Sequence, residues 1–130
     1  ILAASRALET ANLLCGHFEE TTRAAKAGDL VYLDPPYPKG AVDGNGFARY
    51  SKTGFTLEDH KRLAKRAAKL ADLGVHILIT EAARSEIIKL YSRAFHTKYI
   101  RSSSLIAAES EYRRQTYEVI LTSYRTDAHS

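Results

Sequence analysis

Asp34-Pro35-Pro36-Tyr37 is the stretch of this 130-residue sequence whose residue types and spacing could do chemistry. The two prolines restrict the backbone after Asp34, so the carboxylate and the Pro35 carbonyl are held facing one side with little freedom left to lose on binding. Both groups are acceptors. An exocyclic amine such as N6 of adenine offers two N–H donors, which two fixed acceptors about 3 Å away satisfy together. The Tyr37 ring adds a wall on which a base can stack, a contact worth roughly 1–3 kcal/mol. Hydrogen bonds to both N–H groups favour a pyramidal, nucleophilic nitrogen and stabilise the positive charge that develops as it attacks a methyl group. A sulfonium donor leaves as a neutral thioether, so no general acid is required. The bland alternative is a proline-stiffened turn after a strand; average residue usage produces the tetrad by chance in a chain of this length on the order of once in a thousand.

A strand must deliver Asp34 to its place. Leu30-Val31-Tyr32-Leu33 is a β-rich run that stops where the prolines remove the amide donors a central strand requires. Upstream, Ser5 to Thr10 reads as the end of a helix, Asn12 to Cys15 as a short strand broken by Gly16, and Glu19 to Ala27 as a helix stopped by Gly28. Pro38 to Phe55 is a long glycine-punctuated loop, a type that is usually functional or disordered. Thr56 can cap a helix whose third position is Asp59, with Leu63, Ala64, Ala67, Leu70 and Ala71 on one face and Gly74 at its end. Val75 to Thr80 is a buried strand and Ser85 to Arg93 a helix. Phe95 to Ser104 and Gln115 to Tyr124 are β-rich segments without room for a crossover helix between them, hence antiparallel. The expected architecture is α/β, a mostly parallel sheet with a C-terminal antiparallel strand pair, and the active face lies at the carboxyl ends of the parallel strands.

Composition sets the bounds. With 45% hydrophobic and 26% charged residues the chain suits one globular domain, and collagen-like, coiled-coil and disordered classes are excluded. No apolar run reaches the eighteen or so residues of a membrane span. One cysteine, Cys15, and no signal-like segment favour a reducing, cytoplasmic setting. The charge of +4 permits an anionic partner without requiring one. There is no methionine and the sequence opens with Ile1, which points to part of a longer polypeptide.

GDLVYLDPPY, from Gly28 to Tyr37, resembles the catalytic strand and motif of Dam-like DNA adenine N6-methyltransferases. Phe47, Tyr50, Gly54-Phe55-Thr56 and the helix start from Asp59 to Leu63 resemble that family's following loop and helix, and His76 to Thr80 its next strand. Arg101 matches its strand near the target base, and Arg113 with Glu118 to Tyr124 its closing segment. Thr80-Glu81 and Ser123-Tyr124 stand where the family usually has Ser-Asn and Asn-Tyr, and His17-Phe18 where an acidic residue often precedes the phenylalanine. The resemblance implies part of a Rossmann-like S-adenosylmethionine-dependent fold. It assigns catalysis to Asp34, Pro35, Pro36 and Tyr37, cofactor contact to Phe18 and Asp34, and DNA contact to Tyr37, Phe47, Tyr50, Arg101 and Arg113. The family's glycine-rich cofactor motif and target-recognition region do not occur in residues 1–130, and Gly44-Asn45-Gly46 follows no strand and opens no helix. A single partial domain is expected, inactive alone and binding S-adenosylmethionine weakly or not at all, with a complementing chain or a preceding segment supplying the rest.

Other residues carry weaker signals. Phe47 and Tyr50 could cover the pocket or wedge into the gap left by a flipped base, or simply anchor the loop. Arg101, Arg113 and Arg114 could contact phosphate or belong to a solvated turn. Lys61, Arg62, Lys65, Arg66 and Lys69 read as a solvent face away from DNA, with Glu58 and Arg62 as an i, i+4 pair. Five histidines without zinc-like spacing and a lone cysteine give no metal site. A half-fold would expose apolar surface and could dimerise. Within the same chemistry, cytosine N4, RNA or protein amide amines remain open. From another class, a non-catalytic nucleic-acid-binding or assembly module could reuse such a half-fold.

Overall fold

The computed structural model describes residues 2–36, 54–102 and 116–126. Helix α1 (Leu2–Ala7) and the single turn α2 (Phe18–Thr21) precede strand β1 (Leu30–Leu33). Then come the long helix α3 (Leu57–Asp72), strand β2 (His76–Ala82), helix α4 (Ser85–Tyr91) and strands β3 (His96–Ser102) and β4 (Thr116–Thr122).

Helix α3 forms where its sequence signals lie. The Thr56 side chain accepts from the Asp59 amide while the Asp59 carboxylate accepts from the Thr56 amide, a reciprocal cap on two donors the helix cannot satisfy itself. His60, Leu63, Ala64, Ala67 and Leu70 recur three or four apart and are all buried. Gly74, at φ +84°, takes the left-handed conformation that ends the helix, and its amide returns to the Ala71 carbonyl.

The sheet order is β1-β2-β4-β3. Strands β1 and β2 are parallel, in the register Leu33 with Ile79, whereas β4 is antiparallel to both β2 and β3. The expectation of a mostly parallel sheet is therefore corrected: it is mixed α/β, and two of its three pairings are antiparallel. The expected antiparallel relation of the last two strands holds, but they do not simply extend the sheet. Apolar β4 (TYEVILT) takes the interior position and charged β3 (HTKYIRS) the edge. Burial explains that choice, because Val119 and Leu121 of β4 are fully buried, while the lysine and arginine of β3 suit an edge that must not recruit further strands.

Helices α3 and α4 cover one face of the sheet. Ala67 and Leu70 meet Ile77 and Ile79 of β2, Val119 and Leu121 of β4, and Ile87 and Tyr91 of α4 in one core. Each fully buried aliphatic side chain there contributes about 1.5–3 kcal/mol.

Two local expectations fail. Residues 12–15 form no strand: Leu13 is 94% exposed and Cys15 is exposed, with no partner strand among the described residues to satisfy the backbone. The helix expected over Glu19 to Ala27 shrinks to α2. Both Thr21 and Thr22 hydroxyls bond back to the Phe18 carbonyl, and the Arg66 guanidinium takes the Thr22 carbonyl at 3.0 Å, so side chains replace the next helical turn.

Candidate active site

Strand alternation and register together build the site. Residues 30, 32 and 34 fall on one face of β1 and its continuation, and the pairing of Leu33 with Ile79 puts Thr80 level with Asp34. The Thr80 hydroxyl donates to Asp34 Oδ1 at 2.8 Å, and the Tyr32 hydroxyl lies 3.0 Å from the Thr80 oxygen. Pro35 is buried and anchors the corner, whereas Asp34 and Pro36 on either side of it are exposed.

A cleft of about 240 Å³ opens beside that corner, lined by Phe18, Tyr32, Leu33, Asp34, Pro35, Pro36, Phe55 and Leu63. Phe18 arrives from α2. Its ring centroid is 6.0 Å from that of Phe55, and the Arg62 guanidinium carbon lies 5.7 Å from it. Arg62 is held in turn by a two-pronged contact to Glu19, with Nε 3.1 Å from Oε1, and by Asp59. The expected Glu58–Arg62 pair is thus replaced: Glu58 binds Lys61, and Arg62 ties α2 to α3. Lys65 and Lys69 are exposed as expected, but Arg66 is half-buried against Thr22.

Beneath the cleft, Phe55 packs edge-on against His60 with centroids 4.8 Å apart, and His60 Nδ1 is 2.9 Å from Glu81 Oε1 with both side chains fully buried. Burial, and then the nearby Glu81 carboxylate, push the Tyr91 phenol well above its ordinary range, so it stays neutral. At the mouth of α3, hydrogen bonds from the Thr56 hydroxyl and then its amide hold the Asp59 carboxyl below its usual value, and Arg62 and His17 add to this.

Of the residues singled out from sequence, Asp34, Pro35, Pro36 and Phe18 are brought together around one cleft. Arg101 is exposed near the end of edge strand β3 and does not line it. Since β3 runs in the same sense as β2, Arg101 lies at the same end of the sheet, three strand spacings or about 14 Å from β1. Tyr37, Phe47, Tyr50 and Arg113 fall outside the described residues. Thr80, Tyr32, Phe55 and the His60–Glu81 pair were not assigned to the site from sequence. The alternation of Tyr32 with Asp34 and the adjacency of two parallel strands were the signals that could have found the first two.

The described residues thus form a mixed α/β domain in which a proline-flanked carboxylate beyond a strand end lines an aromatic-walled cleft. Residues 1–107 match the D12 class N6 adenine-specific DNA methyltransferase family. The chain is 30% identical over 112 residues to a type II methyltransferase of Lactococcus lactis subsp. cremoris, covering 86% of this chain and 39% of that protein. It is 31% identical over 115 residues to the retron Ec67 DNA adenine methylase of Escherichia coli, covering 88% and 38%. A type II methyltransferase of Methanocaldococcus jannaschii is 28% identical over 121 residues, covering 92% and 42%. The chain belongs to the D12 class adenine-specific DNA methyltransferase family, and it spans well under half the length of these relatives.

Proposed function

We propose that these residues form the catalytic-motif part of a DNA adenine N6-methyltransferase with a Rossmann-like fold. Asp34 and the Pro35 carbonyl receive the two N–H groups of an extruded adenine, and Tyr37 stacks on its ring. The observation that carries this reading is the position of Asp34: exposed, beyond the end of a parallel strand, and on the wall of the same cleft as Phe18.

The cleft lining fits part of S-adenosylmethionine. Apolar walls from Phe18, Phe55 and Leu63 beside one carboxylate are what a sulfonium group needs, but about 240 Å³ falls below the roughly 300–1,000 Å³ of complete small-molecule sites. Phe18 and Asp34 are the residues that would hold it. When bound, it supplies the methyl group as an electrophile. The protein's own part is to hold the amine, favour its pyramidal form and stabilise the charge gained by the nitrogen. DNA is the proposed polymer substrate, and Arg101, exposed near the end of β3, is the residue proposed to meet a phosphate. The 130 residues alone are expected to bind the cofactor weakly and to transfer no methyl groups.

The test is Asp34→Ala in the complete gene product that carries these residues. Turnover on an adenine-containing duplex should fall by at least about a hundredfold, while DNA affinity changes little. Turnover at the wild-type level would refute the assignment.

A further inference from the structure

Three side chains on two neighbouring strands make a directed chain of hydrogen bonds that ends on Asp34. Thr80 spends its single hydroxyl proton on Asp34 Oδ1, so in the 3.0 Å contact between Tyr32 and Thr80 it is Tyr32 that donates. The order is Tyr32 to Thr80 to Asp34. No described residue donates to the other carboxylate oxygen, Oδ2.

We propose that Thr80 is a positioning residue for Asp34: its hydroxyl occupies Oδ1 and fixes the carboxyl plane, leaving Oδ2 for the N–H of the target amine, and Tyr32 holds the Thr80 hydroxyl in the donating orientation. The inference rests on Asp34 receiving that amine. Asp34 is exposed, so without a partner its side chain would sample several rotamers, only some of which present an acceptor to the cleft. Threonine suits the task because its branched β-carbon restricts χ1, so the hydroxyl is aimed by the strand itself. Tyr32 lines the cleft and is 57% exposed, so it does no core packing that would otherwise explain its hydroxyl contact. The parallel register makes the arrangement possible, because a slip of one residue would send Thr80 to the helix face of the sheet and Glu81 to the face that carries Tyr32 and Asp34.

The experiment measures methyl transfer to an adenine-containing duplex by the complete gene product and its Asp34→Ala, Thr80→Val, Thr80→Ser, Tyr32→Phe and Tyr32→Phe/Thr80→Val variants. Thr80→Val should lower kcat about tenfold to a hundredfold. KM for DNA should stay within about twofold of wild type. Thr80→Ser should recover most of the rate. Tyr32→Phe should lower kcat less than Thr80→Val and add nothing in the Thr80→Val background. Valine copies the shape of threonine and suits a strand, so an unchanged unfolding midpoint separates positioning from structural support. Wild-type kcat in Thr80→Val beside an inactive Asp34→Ala overturns the relay and leaves the Asp34 assignment standing, whereas turnover in Asp34→Ala overturns both. Should Thr80→Val fail to fold, Tyr32→Phe decides: an unchanged kcat in that variant overturns the relay.

Discussion

Glu81 and His60 meet inside the protein with Oε1 2.9 Å from Nδ1 and neither side chain exposed to solvent. Because successive strand residues point to opposite faces, Thr80 reaches the Asp34 side of β2 while Glu81 reaches under α3. The pair therefore braces the floor of the cleft through Phe55, which lies edge-on to His60.

Removing one partner takes a fully buried polar contact from the other. Glu81→Leu or His60→Leu alone should each destabilise the protein, and the double change to Leu should cost less than the sum of the two, because both single changes break the same contact between fully buried side chains. Urea denaturation of the three variants reads this directly. Additive losses would show that the two side chains do not act as a pair.

The reciprocal cap of Thr56 and Asp59 gives a pH signature. The Asp59 carboxyl is held below its ordinary 3.8, so its contribution to stability is complete above that value and is lost as pH falls through the lower folded one. Thr56→Ala should destabilise by about 1 kcal/mol at neutral pH. The difference between wild type and variant should shrink as unfolding is measured from about pH 5 down to about pH 2. A constant difference across that range would contradict the cap.

Gly74 and Gly28 both have positive φ, at +84° and +89°, yet their surroundings differ. A Cβ at Gly74 would come 3.1 Å from the Ala27 Cβ, whereas one at Gly28 would meet nothing within 4 Å. Alanine at Gly28 should cost about 1–2 kcal/mol from backbone strain alone. Alanine at Gly74 should cost more, because the turn before β1 must also shift. Thermal unfolding of the two variants ranks them, and equal losses would show that Ala27 yields freely.

Tyr91 buries a hydroxyl that has no hydrogen-bond partner among the described residues. Tyr91→Phe should therefore be neutral, or stabilising by up to about 1 kcal/mol, with the edge-on contact to Phe95 retained. A loss above about 1 kcal/mol in denaturant unfolding would reveal a partner for that oxygen.

What could be read from sequence followed the range of the forces involved. The cap at Thr56, the stop at Gly74 and the strand ending at Asp34 are decided within a few residues, and they stand as read. The residues from Thr22 to Ala27 looked helical, yet the Thr22 carbonyl and hydroxyl are claimed by Arg66, 44 residues away along the chain. Leu13 and Leu14 looked like strand residues because their composition is apolar, but pairing needs a neighbour that local sequence does not reveal. In the candidate site, the acceptor Asp34 was legible and its holder Thr80 was not, since the contact depends on which strands become neighbours and in what register.

The place of β4 between β2 and β3 has a consequence for biosynthesis. A ribosome delivers β1, β2 and β3 before β4, so β2 and β3 emerge with their facing edges unsatisfied and cannot be zipped together until the later strand is inserted between them. Nascent chains stalled before residue 116 should thus stay protease-sensitive and require chaperone shelter, and release of β4 should trigger closure of the sheet in a single late event.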